Sequence, residues 1–197
     1  MAKPQSLKKT SVVSSFVKRI ITPLPDFTLM VESGIPEYPE IREFLIKFSE
    51  LKKSPPYIHT YKITPVTLWN ASARGISADD VIKFLREHSR ISLPETLEIF
   101  TRTEMGKYGL LKLVKGGDRM FLESADENLL KCVRKKLGLG DDLGIDAIMR
   151  GRVKLDLLKL GFPVEDLYGF DDGEFFPIET RSLEMREYQR EAIEAFN

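Results

Sequence analysis

The chain has 197 residues, of which 42% are hydrophobic and 30% are charged, a balance typical of a soluble globular protein. Lys+Arg and Asp+Glu each number 30, so the net charge is zero and a globally basic nucleic-acid binder is disfavoured, although local basic patches are not. A single cysteine, Cys132, excludes an intrachain disulfide and fits a reducing compartment, the cytoplasm or, in a eukaryote, the nucleus. No apolar run approaches the ~20 residues of a membrane span.

The first 22 residues form a basic segment with no acid before Asp26. They lack the continuous apolar core of a secretory signal. Two interpretations are open: a disordered, solvated tail, which we expect, or an electrostatic arm that touches phosphates. The basic residues of this segment are Lys3, Lys8, Lys9, Lys18 and Arg19.

Apolar periodicity and turn residues predict an N-terminal α+β domain over residues 23–140. Its elements are a strand over 27–32, a helix over 38–51, a strand over 59–63, helices beginning at Thr64-Pro65, Ser77 and Pro94, strands over 110–115 and 119–123, and a helix over 126–137. Strand, three helices and hairpin is the order of a winged-helix domain. We therefore predict an α+β fold with a winged-helix-like core, with an unrelated small α+β module as the alternative.

Residues 141–180 are predicted to be a connecting segment that contains a helix over 152–160 and an extended stretch over 175–178. A final helix is predicted over 184–196. Trp69, on the first of the three helices, is expected to lie in the core.

No complete set of catalytic residues is visible, so no catalytic residue and no metal site are predicted. Asp126 and Glu127 precede an apolar helical pattern and suit a helix N-terminus better than a magnesium motif. His59 and His88 have no nucleophile or carboxylate pattern around them. Cys132 lies beside apolar helical positions and is expected to be buried and inert.

Basic side chains cluster in two places where they could contact a nucleic-acid backbone. The residues are Lys112, Lys115 and Arg119 in the hairpin, and Arg134, Lys135, Lys136, Arg150 and Arg152 within residues 131–154. The second stretch has seven basic and three acidic side chains, a net charge of +4. The third helix has a net charge of −1, which disfavours sequence-specific reading in a major groove. A solvated helix surface, or a protein-docking surface, is the alternative.

Four segments of the chain resemble, in the same order, the N-terminal region of DNA repair helicases of the XPB type. They are residues 58–75, 82–90, 105–113 and 157–173. The similarity extends from about residue 27 to residue 196, and the compact, lysine-rich form is more similar to prokaryotic members. The resemblance implies a superfamily 2 motor that moves along or unwinds DNA 3′ to 5′, with ATP and magnesium as the cofactors of the complete helicase. It also implies a role in nucleotide excision repair.

Such a motor needs a phosphate-binding loop, G-x-x-x-x-G-K-[ST], and residues 1–197 contain none. We therefore expect a chain truncated before that loop, without a cofactor of its own and inactive alone, in which residues 181–197 begin the motor domain.

Gln189, in the stretch MREYQREA at 185–192, matches the glutamine with which the family reads adenine. An amide offers a donor and an acceptor, which is the pattern presented by adenine N7 and N6. Tyr188 and Arg186 are candidates to support it by stacking or orientation. The alternative is an exposed helical glutamine without a ligand.

The resemblance implies an accessory domain that docks partners and regulates the motor. The implied partners are the motor domains of the same polypeptide, a nuclease or a repair-complex subunit, and DNA through the parent protein, but no membrane. A DNA-contacting domain that helps to recognise distorted duplex is one alternative. A stand-alone winged-helix protein is the other.

Overall fold

A computed structural model describes residues 18–139, 144–169 and 185–195. The elements in chain order are β1 (Ile21–Pro23), β2 (Thr28–Glu32), α1 (Tyr38–Leu45), β3 (Glu50–Lys53), β4 (Ile58–Lys62), α2 (Pro65–Ala73), α3 (Ala78–His88), α4 (Glu95–Met105), β5 (Leu111–Gly116), β6 (Arg119–Glu123), α5 (Glu127–Lys136), β7 (Gly144–Asp146), a 3-10 turn (Ala147–Met149), α6 (Arg150–Lys159), β8 (Val164–Asp166) and α7 (Glu187–Glu194).

The first sheet has the order β1-β2-β4-β3, with neighbouring strands antiparallel. Leu29 of β2 lies opposite Tyr61 of β4, and both side chains are fully buried. They share one core with apolar side chains of α1 to α4, such as Leu68, Leu85 and Leu97. The helices therefore cover the apolar face of this sheet, as an α+β architecture requires.

The second sheet has the order β7-β6-β5-β8 and its own core. β5 and β6 form a hairpin, and Gly117 in its turn has φ +64°, a left-handed conformation that favours glycine. β8 joins the other side of β5 in parallel, which places Val164 opposite Leu111. Val133 of α5 and Leu157 of α6 complete this core.

The helix starts predicted from cap residues are confirmed. Thr64 Oγ1 accepts from the Thr67 N–H at 3.2 Å, and Ser77 Oγ accepts from the Asp80 N–H at 3.1 Å. The reciprocal hydrogen bonds from Ser77 to the Asp80 carboxylate lower the pKa of that carboxyl. Trp69 lies in the interior with 6% of its surface exposed, also as predicted.

The α+β class is confirmed, but the winged-helix detail is not. The strand that precedes the three helices, β4, pairs with β2 and β3, whereas the hairpin after them belongs to the other sheet. The predicted boundary at residues 140 and 141 falls inside the second sheet, because β7 and β8 pair with the hairpin. Within the predicted tail, Ile20 and Ile21 are buried and β1 begins, while residues 1–17 and the extended stretch at 175–178 lie outside the described residues.

Two local predictions need correction. The helix predicted over 38–51 ends at Leu45, because the chain turns there and enters β3; Phe48 still packs into the core from that turn. Cys132 is exposed on α5, so the expectation of a buried thiol was wrong. The apolar neighbours Leu129, Leu130 and Val133 define the buried side of that helix, and Cys132 lies off it.

Leu97 and Ile99 on α4 provide a matched test of this core. Leu97 is fully buried, whereas Ile99 is 57% exposed on the same helix. Leu97→Ala should lower the free energy of unfolding by about 2–5 kcal/mol through lost burial and a residual cavity. Ile99→Ala should change it by less than about 1 kcal/mol. Urea unfolding followed by circular dichroism measures both, and equal losses would contradict the placement of α4.

Candidate nucleic-acid interface and adenine-contact residues

The hairpin cations predicted to contact nucleic acid are exposed, but each has a neighbour. Lys112 Nζ lies 3.3 Å from Glu165 Oε2. Lys115 Nζ lies 5.5 Å from the centre of the Tyr168 ring, within the range of a cation–π contact. Arg119 donates a hydrogen bond to the backbone carbonyl of Gly144. Contacts within the second sheet and the segment after β8 therefore already engage these side chains.

Arg150 and Asp166 form a bidentate ion pair. Arg150 Nε and Nη2 donate to the two carboxylate oxygens at 2.9 Å each, and Lys154 Nζ donates to Oδ2 at 2.7 Å. The Arg150 and Asp166 side chains are only 19% and 12% exposed. Arg150 Nη1 also donates to the Gly169 carbonyl at 2.7 Å. This geometry fixes the start of α6 on β8.

Two opposing effects act on the pKa of Asp166. Desolvation by burial is the largest and raises it, but hydrogen bonds from Arg150 and Lys154, the charge of Lys154 and the Tyr168 N–H together outweigh it. The pKa is lowered from its ordinary value of 3.8, so the carboxylate is ionised at neutral pH and balances the cations beside it.

Sequence reasoning missed Glu165 and Asp166 as counter-charges. They lie outside the stretch 131–154 over which the charge was counted, and the parallel pairing of β8 with β5 brings them next to Lys112, Arg150 and Lys154. Both acids were visible in the resembling segment 157–173, but nothing in the sequence showed which strand that segment would join.

The remaining predicted cations differ in accessibility. Arg134 is buried on α5, with 9% of its surface exposed, which leaves little of it for a phosphate. Arg152 is exposed and lies 3.8 Å from Asp156 one turn on. Lys135 and Lys136 are exposed in the last turn of α5 and have no ion-pair partner among the described residues. The predicted cations therefore do not form one continuous unpaired patch.

The adenine-contact candidates lie at the start of α7, where the described side chains are exposed. Gln189 Oε1 accepts from the Arg186 N–H at 3.0 Å, an N-terminal cap, and Tyr188 is 61% exposed. An amide oxygen has a second lone pair, and its NH₂ group donates, so the arrangement still fits the hydrogen-bonding edge of adenine.

No group of three or more His, Cys, Asp or Glu side chains that could hold a metal ion occurs among the described residues. Of the two histidines, His59 takes part in a structural hydrogen-bond network. The Tyr38 hydroxyl lies 2.5 Å from His59 Nδ1 and 2.6 Å from the Tyr61 hydroxyl. Burial and the Tyr61 contact raise the pKa of Tyr38. Every helix within residues 18–139, 144–169 and 185–195 is too short or too polar to span a bilayer.

Residues 21–141 match the family described as Helicase conserved C-terminal domain, and the chain belongs to this family of helicases. Among curated proteins it is similar to the DNA 3′-5′ helicase XPB of Kineococcus radiotolerans, 38% identical over 183 residues, 87% of this chain and 33% of that protein. The corresponding protein of Mycobacterium tuberculosis is 40% identical over 167 residues, 79% of this chain and 30% of that protein.

A eukaryotic relative matches a smaller part of the chain. The General transcription and DNA repair factor IIH helicase/translocase subunit XPB of Drosophila melanogaster is 33% identical over 111 residues, 56% of this chain and 14% of that protein. These matches confirm the predicted resemblance to an XPB-type helicase of prokaryotic character. The chain spans about a third of the length of the bacterial relatives.

Replacement of Asp166 by Asn tests the ion pair that joins α6 to β8. Loss of a partly buried charged acceptor should lower the free energy of unfolding by about 2 kcal/mol at pH 7. Because the folded-state pKa of Asp166 is lowered, the stability it contributes is present above the ordinary value of 3.8 and is lost progressively as the pH falls from there through the lowered folded-state pKa. Asp166→Asn should remove this part of the acid sensitivity.

The control for Asp166→Asn is Asp156→Asn, which removes a more exposed carboxylate that pairs with Arg152 and Lys159 on the same helix. It should cost less than about 1 kcal/mol. Urea unfolding at pH 7 and at a series of pH values below 3.8 measures both variants. Equal destabilisation by the two would show that Asp166 has no special structural role.

Proposed function

We propose that this chain is an accessory part of an ATP-dependent 3′-5′ DNA helicase or translocase in DNA repair, and that it docks partners and regulates the motor. The observation that carries the proposal is the match itself. It covers 87% of the chain against a bacterial DNA 3′-5′ helicase XPB, yet the matched part contains no phosphate-binding loop. What this part contributes must therefore be something other than the handling of the ATP phosphates.

Exposed apolar side chains around α6 support a docking role. Ile148 is 85% exposed, Leu155 53% and Leu158 42%, and the two leucines lie about one turn apart on the same side of the helix. Ile148 belongs to the 3-10 turn before α6, and we call Leu155 and Leu158 the α6 apolar face. Exposed apolar groups that cluster in this way mark protein-binding surfaces more often than singly scattered ones.

A cleft of about 350 Å³ continues this face towards α2 and is lined by Val66, Trp69, Leu158 and Pro163, among others. The Trp69 Nε1–H is buried and has no hydrogen-bond acceptor among the described residues. An indole can only donate, so this N–H is an unsatisfied buried donor on a residue that lines the cleft. Two of the segments that carry the resemblance, 58–75 and 157–173, both contribute to this cleft.

ATP and magnesium would act in the complete helicase. Gln189 would read adenine, with Tyr188 and Arg186 in support, and ATP would supply the energy for movement along DNA. The sequence contains no phosphate-binding loop for ATP, and the described residues include no group of three or more His, Cys, Asp or Glu that could hold the metal ion, so this proposal concerns only the adenine base.

A DNA-contacting role in recognising distorted duplex is the second candidate, favoured by Lys135 and Lys136, which are exposed and have no ion-pair partner within the described ranges. Glu165 and Asp166 pair with the cations beside β8, and these ion pairs count against a wider basic patch that would include Lys112, Arg150 and Lys154. The third alternative, a stand-alone winged-helix protein, loses support because the chain belongs to a helicase family and its hairpin lies in a different sheet from β4.

A chimera tests the docking and regulatory proposal. The matching third of the Mycobacterium tuberculosis helicase is replaced by this chain, and DNA-stimulated ATP hydrolysis and strand separation are measured. The chimera should retain at least about a tenth of the parental rates, because the accessory part is supplied in a related form. This chain alone should hydrolyse no ATP, since it lacks the loop that neutralises the phosphates.

The same chimera with Leu155→Glu and Leu158→Glu probes the α6 apolar face. If this face docks the motor or a partner, the rates should fall about tenfold, because a charged group opposes burial of the contact. Ile99→Glu, at an exposed apolar position on α4, is the matched control and should leave the rates unchanged. Similar rates in all three chimeras would reject docking through α6.

A further inference from the structure

Three arginines and two serines line a cleft beside the first sheet and its helices. This cleft is not part of the predicted nucleic-acid interface. The cleft has a volume of about 480 Å³ and lies where the segment between α3 and α4 passes the beginning of β1. Its lining contains no acidic side chain. The lining residues are Arg19, Arg86, Ser89, Arg90, Ile91, Ser92 and Leu93, and we call this the arginine cleft.

Backbone hydrogen bonds hold the two sides of the arginine cleft together. The Ile20 N–H donates to the His88 carbonyl at 2.9 Å, and the Arg90 N–H donates to the Ile21 carbonyl at 2.8 Å. Ile20 and Ile21 are fixed in the core. The guanidinium groups therefore start from backbone positions set by the fold rather than from a loose loop.

Two of the arginines are oriented by carboxylates that do not line the cleft. Arg86 donates to both oxygens of Glu98, at 2.9 Å and 2.6 Å, and Arg90 pairs with Glu32 at 2.5 Å. A guanidinium has more N–H groups than one carboxylate can accept, so both keep donors for a ligand. These pairs pre-set the arginine geometry and reduce the side-chain entropy lost on binding.

Arg19 supplies the uncompensated charge. It is exposed and has no ion-pair partner among the described residues. A neighbouring cleft, which Arg19 and Arg86 also line, contains Asp79, Asp80 and Glu87 together with Lys83 and Arg102, so four cations there face three acids. The preceding stretch adds Lys3, Lys8 and Lys9. These lysines are spread along the sequence, and Lys18 beside Arg19 pairs with Glu37 at 3.2 Å. A segment with several cations and no acid before Asp26 suits an extended anionic chain better than a single small anion.

Ser89 adds an unused polar group. The residue is buried, with 2% of its surface exposed, and its hydroxyl has no hydrogen-bond partner among the described residues. Because this hydroxyl is also closed to solvent, a ligand oxygen reaches it only after a local rearrangement, whereas exposed Ser92 offers an accessible hydroxyl at the same cleft.

We propose that the arginine cleft binds a phosphate group, and that its source is the backbone of a nucleic acid. Guanidinium groups match the oxygens of phosphate in a forked geometry, and hydroxyl groups commonly complete such sites. The site makes no base contact, so it positions DNA without reading sequence. It is independent of the docking proposal, because it lies on the first sheet and its helices rather than on α6.

Arg19→Glu in the full 197-residue chain tests the site, with Arg74→Glu as the matched control. Arg74 is also exposed and without an ion-pair partner among the described residues, and the charge change is identical. Binding to a fluorescein-labelled DNA duplex is measured by anisotropy over a series of salt concentrations. Arg19→Glu should weaken binding about tenfold and reduce the salt slope by about 1, whereas Arg74→Glu should change the Kd less than about twofold.

Amide chemical shifts of residues 89–93 during titration with inorganic phosphate distinguish the sources. Shifts that Arg19→Glu abolishes, together with duplex binding that depends on Arg19, support a backbone phosphate. The same shifts without duplex binding support a phosphate site that serves a free anion. Equal loss of duplex affinity in both variants, or no response to either ligand, would overturn the proposal, as would stronger binding of a polyglutamate peptide than of DNA.

Discussion

The parallel pairing of β8 with β5 is the contact on which the second half of the molecule depends. It adds an edge strand to the second sheet, places Val164 opposite Leu111, and positions Asp166 beside Arg150 at the start of α6. Without it, α6 would keep its apolar side, Val153 and Leu157, but would have no fixed position over the hairpin. The same pairing sets the charges, because Glu165 and Asp166 arrive on β8 beside Lys112 and Lys154. Fold and surface electrostatics therefore have one cause.

Local signals in the sequence predicted most of the elements, and long-range pairing accounts for the misses. Cap residues such as Thr64 and Ser77 act over a few residues, so the starts of α2 and α3 could be read directly. The strands β1, β7 and β8 have three residues each and carry no periodicity of their own; partners elsewhere in the chain define them. The winged-helix interpretation went too far for the same reason, since element order does not specify which strands share a sheet.

The candidate binding residues show the same difference between what local sequence signals predict and what long-range contacts decide. That Lys135 and Lys136 are exposed could be predicted, because the apolar periodicity of α5 assigns the buried side. That Arg134 is buried, and that Arg150 is held by Asp166, could not, since burial of a charge depends on which partner arrives. The arginine cleft was out of reach for sequence reasoning, because Arg19 and Arg90 are 71 residues apart and meet only through the alignment of β1 with the end of α3.

Magnitudes decide which of these cations can serve a phosphate. For Arg150 to turn towards DNA, its hydrogen bonds to a carboxylate that is 12% exposed must break, at a cost of about 1.5–3 kcal/mol for a charged hydrogen bond. An exposed ion pair with a phosphate returns only about 0–1 kcal/mol at ordinary salt. Arg19 has no such bond to break, and Arg86 and Arg90 can keep their carboxylates while they donate through their remaining N–H groups. In a chain of zero net charge, the positions of the acids therefore determine where an anionic backbone can bind, and the acid-free lining of the arginine cleft favours that site over the cations beside β8.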